Sequence, residues 1–90
     1  MWTTAPSNFT RITLFYLRMR GNFIYKKLGE KIIKVRKNKG LTQEKLALLS
    51  DIDRTYLARI ERGETNPSLR VIYKICRTLK MKISSLLKNL

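Results

Sequence analysis

The amino-acid sequence predicts an all-α domain built from five short helices. Three observations support this fold class. Apolar residues recur three and four positions apart, which is the spacing of one face of a helix. Gly, Pro, Thr, Ser and Asp separate the periodic stretches, as is typical of helix ends. The β-branched residues fall within these helical periods, so the sequence contains no strand signal.

The first predicted helix begins at Ile24, where the helical period becomes clear. Its apolar positions are Ile24, Leu28, Ile32 and Val35, and lysines occupy another face. The tripeptide Asn-Lys-Gly ends this helix, with Gly40 as the expected C-terminal cap. Glycine is common there because it adopts the left-handed conformation without steric cost.

Residues 1–23 differ from the rest of the chain in containing Pro6, several threonines and no acidic residue. We expect an N-terminal arm here, either poorly ordered or forming a short helix around residues 12–19. The domain itself is expected to cover residues 24–90. A true start at Met19, with the preceding residues arising from a misplaced start codon, is an alternative expectation.

Helices two and three are predicted at residues 43–50 and 54–62. Thr42 and Asp53 are the expected N-caps, because their side-chain oxygens can accept bonds from free backbone amides. The very short link between these helices predicts a sharply bent helix–turn–helix. Asp51 is expected to supply the positive φ of the bend, since Asp tolerates that conformation better than most residues. The positions expected to face inward are Leu46, Ala47, Ile52, Leu57 and Ile60.

A loop containing Gly63, Asn66 and Pro67 leads into helix four, for which Ser68 is the expected cap. The apolar positions of helix four are Leu69, Ile72, Ile75, Cys76 and Leu79, and a short fifth helix is predicted to start at Ser84. The last two helices carry more apolar surface than so small a core should bury. The residues concerned are Tyr73, Leu79, Ile83, Leu86, Leu87 and Leu90. We therefore predict a homodimer through helices four and five.

The net charge of +14 arises from 20 Lys and Arg against 6 Asp and Glu. Such a field favours polyanions, with nucleic acid as the commonest partner and an anionic membrane surface as the alternative. The chain has one cysteine, Cys76, and no histidine. This inventory excludes an intramolecular disulfide, a Cys/His zinc site and His-dependent acid–base catalysis. We expect Cys76 to be a core residue of a cytoplasmic protein that has no metal, no cofactor and no enzymatic activity.

No apolar run approaches the ~20 residues that a membrane span needs. A cationic membrane-binding protein would instead need a basic amphipathic helix that exposes large apolar residues. The apolar faces predicted here can cover each other, so we expect no membrane partner.

Four sequence features follow one another along the chain: "TQEKLA" at residues 42–47, a turn at Asp51-Ile52, Leu57, and "IERGETNPS" at residues 60–68. Together they resemble the helix-turn-helix of the XRE family, the lambda-repressor and Cro-like DNA-binding regulators. The resemblance covers roughly residues 25–90 and implies a five-helix lambda-repressor-like fold. Asp51 departs from the glycine usual in the family. The stretch "DRTYLARIERG" further resembles the controller proteins of restriction–modification systems, which are small XRE dimers.

The resemblance implies a transcriptional regulator that places helix three in the major groove of double-stranded DNA. Arg54 and Arg59 would then donate hydrogen bonds to guanine, and Thr55 would contact a thymine methyl group or a phosphate. The expected phosphate contacts are Gln43, Tyr56, Arg62, Thr65 and Asn66, with Gln43 also bracing the reading helix. A dimer of this kind would bind a palindromic operator, and no small-molecule ligand is expected.

Four of the six acidic residues lie between residues 42 and 63, although acid near DNA phosphate is unfavourable. We therefore expect each of them to have a structural role. Glu44 complements the dipole at the start of helix two, while Asp51 and Asp53 serve the bend and the cap. In the XRE family an Arg of helix one commonly pairs with the Glu at the position of Glu61. The resemblance thus implies a partly buried salt bridge between Arg36 and Glu61.

An alternative function within the same fold is that of an antitoxin. Such a helix-turn-helix protein would bind a toxin partner and autoregulate its own operon. Co-purification of a small co-expressed protein would distinguish it from a regulator that binds only DNA.

Overall fold

The computed structural model describes the backbone of residues 7–90 and the side chains of Thr13 and of residues 23–90. Within these residues the chain forms five helices and no strand, which confirms the predicted all-α class. In chain order the helices are α1 (Ser7–Asn38), α2 (Gln43–Leu49), α3 (Arg54–Glu61), α4 (Leu69–Leu79) and α5 (Ile83–Leu87).

Helix α1 begins at Ser7 and not at Ile24 as predicted. After Pro6 the next proline is Pro67, so nothing in this segment removes a backbone donor and stops the helix. The short helix expected around residues 12–19 lies inside α1, while residues 1–6 of the expected arm lie outside the described residues. The expected domain boundary at residue 23 stays a prediction. Within the described residues, no helix combines the length and apolarity required to cross a membrane.

Four helices end in the same backbone arrangement, in which one residue takes the left-handed conformation. These residues are Gly40 (φ 69°), Asp51 (φ 55°), Gly63 (φ 73°) and Lys80 (φ 55°). The following N–H then bonds the carbonyl five residues earlier, as Ile52 N does to Ala47 O at 3.0 Å. Gly40 and Asp51 thus adopt the conformations predicted for them from the sequence.

Lys80 adopts the left-handed conformation at an energetic cost, because its β-carbon crowds the backbone there. We expect Lys80→Gly to stabilise the protein by about 1 kcal/mol after allowing for the greater freedom of glycine in the unfolded chain. Thermal melting should show an increase of about 4–8 °C for a domain of this size. Lys82→Gly is the matched control, since Lys82 has a φ of −77° and no such strain. An unchanged or lower melting temperature for Lys80→Gly would contradict the strain argument.

The N-terminal caps agree with prediction at two of the helices. Thr42 Oγ1 accepts from Lys45 N at 3.1 Å, and Ser68 Oγ accepts from Val71 N at 3.2 Å. Asp53 occupies the N-cap position of α3, but its side chain forms no capping hydrogen bond. The predicted side-chain cap is therefore wrong, and the Asp53 carboxylate is instead exposed to solvent.

The start of α5 also differs slightly from the prediction. The helix begins at Ile83, one residue before the predicted start at Ser84, and Lys82 occupies its N-cap position. Lys82 has an extended backbone and makes no side-chain capping bond. The serine that looked like a cap in the sequence is therefore already inside the helix.

The core draws on all five helices. Its buried residues are Leu28, Ile32, Leu46, Ala47, Leu57, Ile60, Ile72, Ile75, Cys76, Leu79 and Leu86. Leu79 and Leu86 were expected on a dimer surface, and that expectation is wrong because both are fully buried in this core. Cys76 is a core residue, as predicted, and burial raises the pKa of its thiol. The thiol is thus held in its protonated, less reactive form.

Helices α1 and α3 approach each other closely at Gly29. A β-carbon on Gly29 would lie 2.4 Å from the carbonyl oxygen of Glu61 and 2.5 Å from that of Ile60. At Gly63, just after α3, a β-carbon would lie 2.6 Å from Cα of Lys26. The backbone of α1 therefore contacts the C-terminal end of α3 directly and fixes its position.

Candidate nucleic-acid interface

Helix α3 has one face in the core and one in solvent. Leu57, Ile60 and Glu61 are buried. Arg54, Thr55 and Arg59, the residues predicted to contact bases, are all exposed. Because the helix has an apolar inner face and cationic groups on its outer face, it can present the latter to a polyanion.

The structure pairs Arg36 with Glu61 through two hydrogen bonds. Arg36 Nε donates to Glu61 Oε2 at 2.8 Å, and Arg36 Nη2 donates to Oε1 at 3.0 Å. The two side chains are only 11% and 3% exposed. Arg36 Nη1 also donates to the carbonyl oxygen of Leu41 at 3.0 Å. This pair joins the end of α1 and the following loop to the end of α3, and two-point geometry of this kind fixes orientation.

Gln43, the first residue of α2, bonds to the same carboxylate. Its Nε2 donates to Glu61 Oε1 at 2.9 Å. The family resemblance implied that Gln43 would brace helix three and contact phosphate, but it did not indicate that Glu61 would be its partner. The two residues lie 18 positions apart and belong to different helices, so no spacing rule connects them. The bond shows how Gln43 braces α3, while its phosphate contact stays a prediction.

Glu44, the next residue of α2, lies beside the opposite end of α3. Its Oε1 is 3.8 Å from Nε of Arg54, and both side chains are well exposed. At this length the contact is an ion pair and not a hydrogen bond. The first turn of α2 therefore contacts both ends of α3, through Gln43 at one end and Glu44 at the other. The sequence predicted only the favourable position of Glu44 at the helix N-terminus, which the structure also shows.

The other predicted phosphate contacts lie on or just after α3. Tyr56 and Thr65 are half-buried, while Arg62 and Asn66 are exposed. Arg62 Nη2 lies 3.0 Å from Glu64 Oε1. The hydrogen bond from Arg62 and its charge lower the pKa of Glu64, and the same bond raises the pKa of Arg62. Glu64 thus offsets part of the positive charge of Arg62.

The bend between α2 and α3 is tied to α4. Ser50 Oγ donates to Thr78 Oγ1 at 2.8 Å, and Thr78 Oγ1 donates to the carbonyl oxygen of Lys74 at 3.2 Å. Lys74 Nζ lies 3.8 Å from Asp51 Oδ2 in the bend itself. In the part of the chain that the structure describes, every buried side-chain nitrogen and oxygen has a hydrogen-bond partner. The buried polar side chains that surround α3 therefore all have hydrogen-bond partners within the protein.

The described residues offer no group of three or more Cys, Asp and Glu side chains that could hold a metal ion. The exposed acids near α3 are Glu44, Asp51, Asp53 and Glu64. Two of them lie beside the arginines Arg54 and Arg62. The exposed arginines of this surface can bind a polyanion through hydrogen bonds and charge attraction.

The paired short helices α2 and α3, with a tight bend and a braced second helix, match a known family. The family model for the helix-turn-helix domain HTH_3 matches residues 32–86, from within α1 to α5. The chain belongs to the HTH_3, or XRE, helix-turn-helix family. The predicted resemblance is thereby confirmed.

Two relatives of this HTH_3 protein are restriction–modification control proteins. C.BamHI from Bacillus amyloliquefaciens is 43% identical over 60 residues, which cover 66% of this chain and 74% of C.BamHI. C.MunI from Mycoplasma sp is 40% identical over 70 residues, which cover 77% of this chain and 95% of C.MunI. The crystal structure of the restriction-modification controller protein C.AhdI from Aeromonas hydrophila matches with a TM-score of 0.68 at 40% identity. That match covers 69% of this chain and 94% of C.AhdI.

These likenesses confirm the predicted five-helix lambda-repressor-like fold. The chain spans less than half the length of some other relatives that it matches. It spans 41% of the length of the immunity repressor of Bacillus phage phi105 and 40% of that of the Bacillus subtilis regulator SlrR. The common part is therefore the helix-turn-helix domain.

Proposed function

We propose that this protein is a sequence-specific transcriptional regulator that binds double-stranded DNA in the cytoplasm and reads the major groove with α3. The observation that carries this proposal is the exposed set of Arg54, Thr55 and Arg59 on a helix whose C-terminal end is held by Gln43 and Arg36. The likeness to the control proteins C.BamHI and C.MunI supports a controller-type role.

The contacts that hold α3 in place explain how so short a helix could recognise bases. A side chain discriminates between bases only when its polar atoms are held within hydrogen-bond distance of the base edges. Helix α3 has only eight residues and would not be stable alone. The pair of Arg36 with Glu61, the bond from Gln43 and the close contact at Gly29 all fix its C-terminal half. The helix is therefore oriented before DNA arrives, and less ordering is needed on binding.

The charge distribution supports attraction to DNA before any base is read. A chain with a net charge of +14 releases counterions when its cations meet phosphates. The predicted phosphate contacts Gln43, Tyr56, Arg62, Thr65 and Asn66 lie at the first turn of α2, on α3 and in the loop that follows it. These groups would set the position of the domain on the backbone, while Arg54, Thr55 and Arg59 would specify the sequence.

Arg54→Ala tests the base-reading role of α3. We expect it to cost about 1–3 kcal/mol of binding free energy on the preferred DNA sequence and to relax the preference at one base pair. Affinity for random DNA should change much less. Titrations of both DNAs by fluorescence anisotropy measure the two affinities. Arg77→Ala, which removes an exposed arginine of α4, is the matched control. Equal losses on preferred and random DNA from Arg54→Ala would remove it from the base-reading role.

We also propose that the protein acts as a homodimer through α4 and α5. Leu69, Tyr73 and Leu87 are 68%, 52% and 41% exposed. Leu69 and Leu87 line an open groove of about 260 Å³, whose apolar lining also includes Ile24, Ile72 and Leu90. Dimers of this motif place their reading helices about 34 Å apart and bind two-fold symmetric sites. Sedimentation equilibrium at micromolar concentration should give twice the mass of the chain, and a monomer at all concentrations would contradict the dimer.

A further inference from the structure

Glu44 is an acidic residue on the surface that is proposed to meet DNA. Its carboxylate is 78% exposed and lies 3.8 Å from Arg54 Nε. An uncompensated carboxylate near phosphate weakens binding to every DNA sequence alike. Its position at the start of α2 explains a favourable interaction with the helix dipole. That interaction does not explain why the carboxylate also lies against the first residue of α3.

The contact leaves the outer edge of Arg54 available. Glu44 lies on the Nε side of the guanidinium group. The two terminal amino groups, Nη1 and Nη2, are the parallel donors that can bind O6 and N7 of guanine together. A carboxylate beside Nε restricts the rotation of the long side chain without occupying the donors that a base would need.

Gln43, the residue before Glu44, has its partner at the other end of α3. Gln43 Nε2 donates to Glu61 Oε1 at 2.9 Å, at the far end of α3. Two neighbouring residues in the first turn of α2 thus have different partners. Gln43 bonds to Glu61 at the end of α3, and Glu44 lies beside Arg54 at its beginning. Of the acidic residues, Glu44 is the one that the structure pairs with Arg54.

We infer that Glu44 is a positioning residue that holds Arg54 toward the base edges and so sharpens sequence discrimination. This inference rests on the proposed function. An arginine at the groove can bind either a base edge or a nearby phosphate, and only the first choice depends on sequence. If Arg54 turned to a phosphate, it would leave Glu44 facing the DNA backbone without its counter-charge. Glu44 therefore disfavours the contact of Arg54 with a phosphate, which is independent of sequence, more than its contact with a base edge.

The test compares the wild-type protein with Glu44→Gln, Arg54→Ala and the double variant. For each protein, affinities are measured for the preferred sequence, for that sequence changed at single base pairs, and for random DNA. We expect Glu44→Gln to reduce discrimination about two- to fivefold, the range for an exposed ion pair, at the base pair that Arg54→Ala identifies. Affinity for random DNA should rise. In the Arg54→Ala background, Glu44→Gln should leave discrimination unchanged, because the two residues act as one unit.

Glu30→Gln is the matched control, because it removes an exposed acid from α1 and raises the net charge by the same amount. It should leave discrimination at every base pair as in the wild type. The inference is overturned if Glu44→Gln keeps wild-type discrimination, or if it alters a base pair other than the one that Arg54 reads. A wild-type protein that prefers no sequence would instead overturn the proposed function. The two failures are therefore distinguishable.

Discussion

Glu61→Gln is expected to destabilise the protein by about 3–5 kcal/mol, because it leaves the buried guanidinium of Arg36 without its counter-charge. Glu61 accepts two bonds from Arg36 and one from Gln43. A neutral amide can accept only some of them, and its own N–H groups would face donors. Domains of this size typically have only about 5–15 kcal/mol of stability, so the variant should be partly unfolded on mild heating. Urea denaturation followed by circular dichroism measures the loss.

Two further variants separate the buried charge from other effects of losing a carboxylate. Glu64→Gln removes an acid that is 53% exposed and paired with Arg62, and it should leave the stability close to that of the wild type. Replacing both members of the buried pair, with Arg36→Met and Glu61→Leu, should recover much of the stability lost in Glu61→Gln. If Glu61→Gln and Glu64→Gln melt alike, the ion pair does not hold α1 to α3.

Gly29→Ala is expected to destabilise the protein by about 3 kcal/mol, at the upper end of the range for overpacked sites. The added β-carbon would meet two backbone carbonyl oxygens, at 2.4 Å and 2.5 Å. Backbone atoms cannot rotate away as the end of a side chain can, so α1 and α3 must move apart. That movement would also lengthen the bonds between Arg36 and Glu61. The gain in helix propensity from Gly to Ala, up to about 1 kcal/mol, offsets only part of the cost.

The neighbouring variant Glu30→Ala is the control for Gly29→Ala. Glu30 is exposed on the same helix, so this substitution changes helix propensity and packs against nothing in the core. Thermal melting should leave Glu30→Ala near the wild-type temperature. Each kcal/mol lost in Gly29→Ala should lower its melting temperature by about 4–8 °C. Gly29→Ala melting at or above the wild-type temperature would show that α1 and α3 are not in direct backbone contact.

The helix ends could be predicted from the sequence because their causes are local. Gly40, Asp51 and Thr42 act on backbone groups within a few residues, and the structure gives each the predicted conformation or bond. Asp53 shows the limit of that reasoning. It occupies the predicted N-cap position, yet its side chain makes no capping bond. Residue type and position predict where a cap can form, but not whether the side chain bonds the backbone there.

The contacts between helices depend on distance in space and were harder to predict. The pairing of Arg36 with Glu61 followed from resemblance to a family, not from spacing. The bond from Gln43 to Glu61 and the approach of Gly29 to α3 had no sequence signal, since each joins residues far apart in the chain. The extension of α1 to Ser7 was not predicted either, because its first turns lack the apolar period used to identify helices.

The predicted dimer surface shows that the same limit applies to apolar residues. Composition shows how many large apolar residues the last two helices carry, but not which of them fill the core. The structure places Leu79 and Leu86 inside and leaves Leu69, Tyr73 and Leu87 exposed. The proposed interface is therefore smaller than the sequence suggested, and it depends more on the groove beside α1.

Selection of bound sequences from a random double-stranded DNA pool tests most directly whether α3 reads bases. With a dimer that reads through Arg54, Thr55 and Arg59, we expect strong enrichment of two half-sites. They should be related by two-fold symmetry, with centres about 10 base pairs apart, or one helical turn. Recovery of all sequences with one common affinity, lost in moderate salt, would show that the protein binds only phosphates and would contradict base reading by α3.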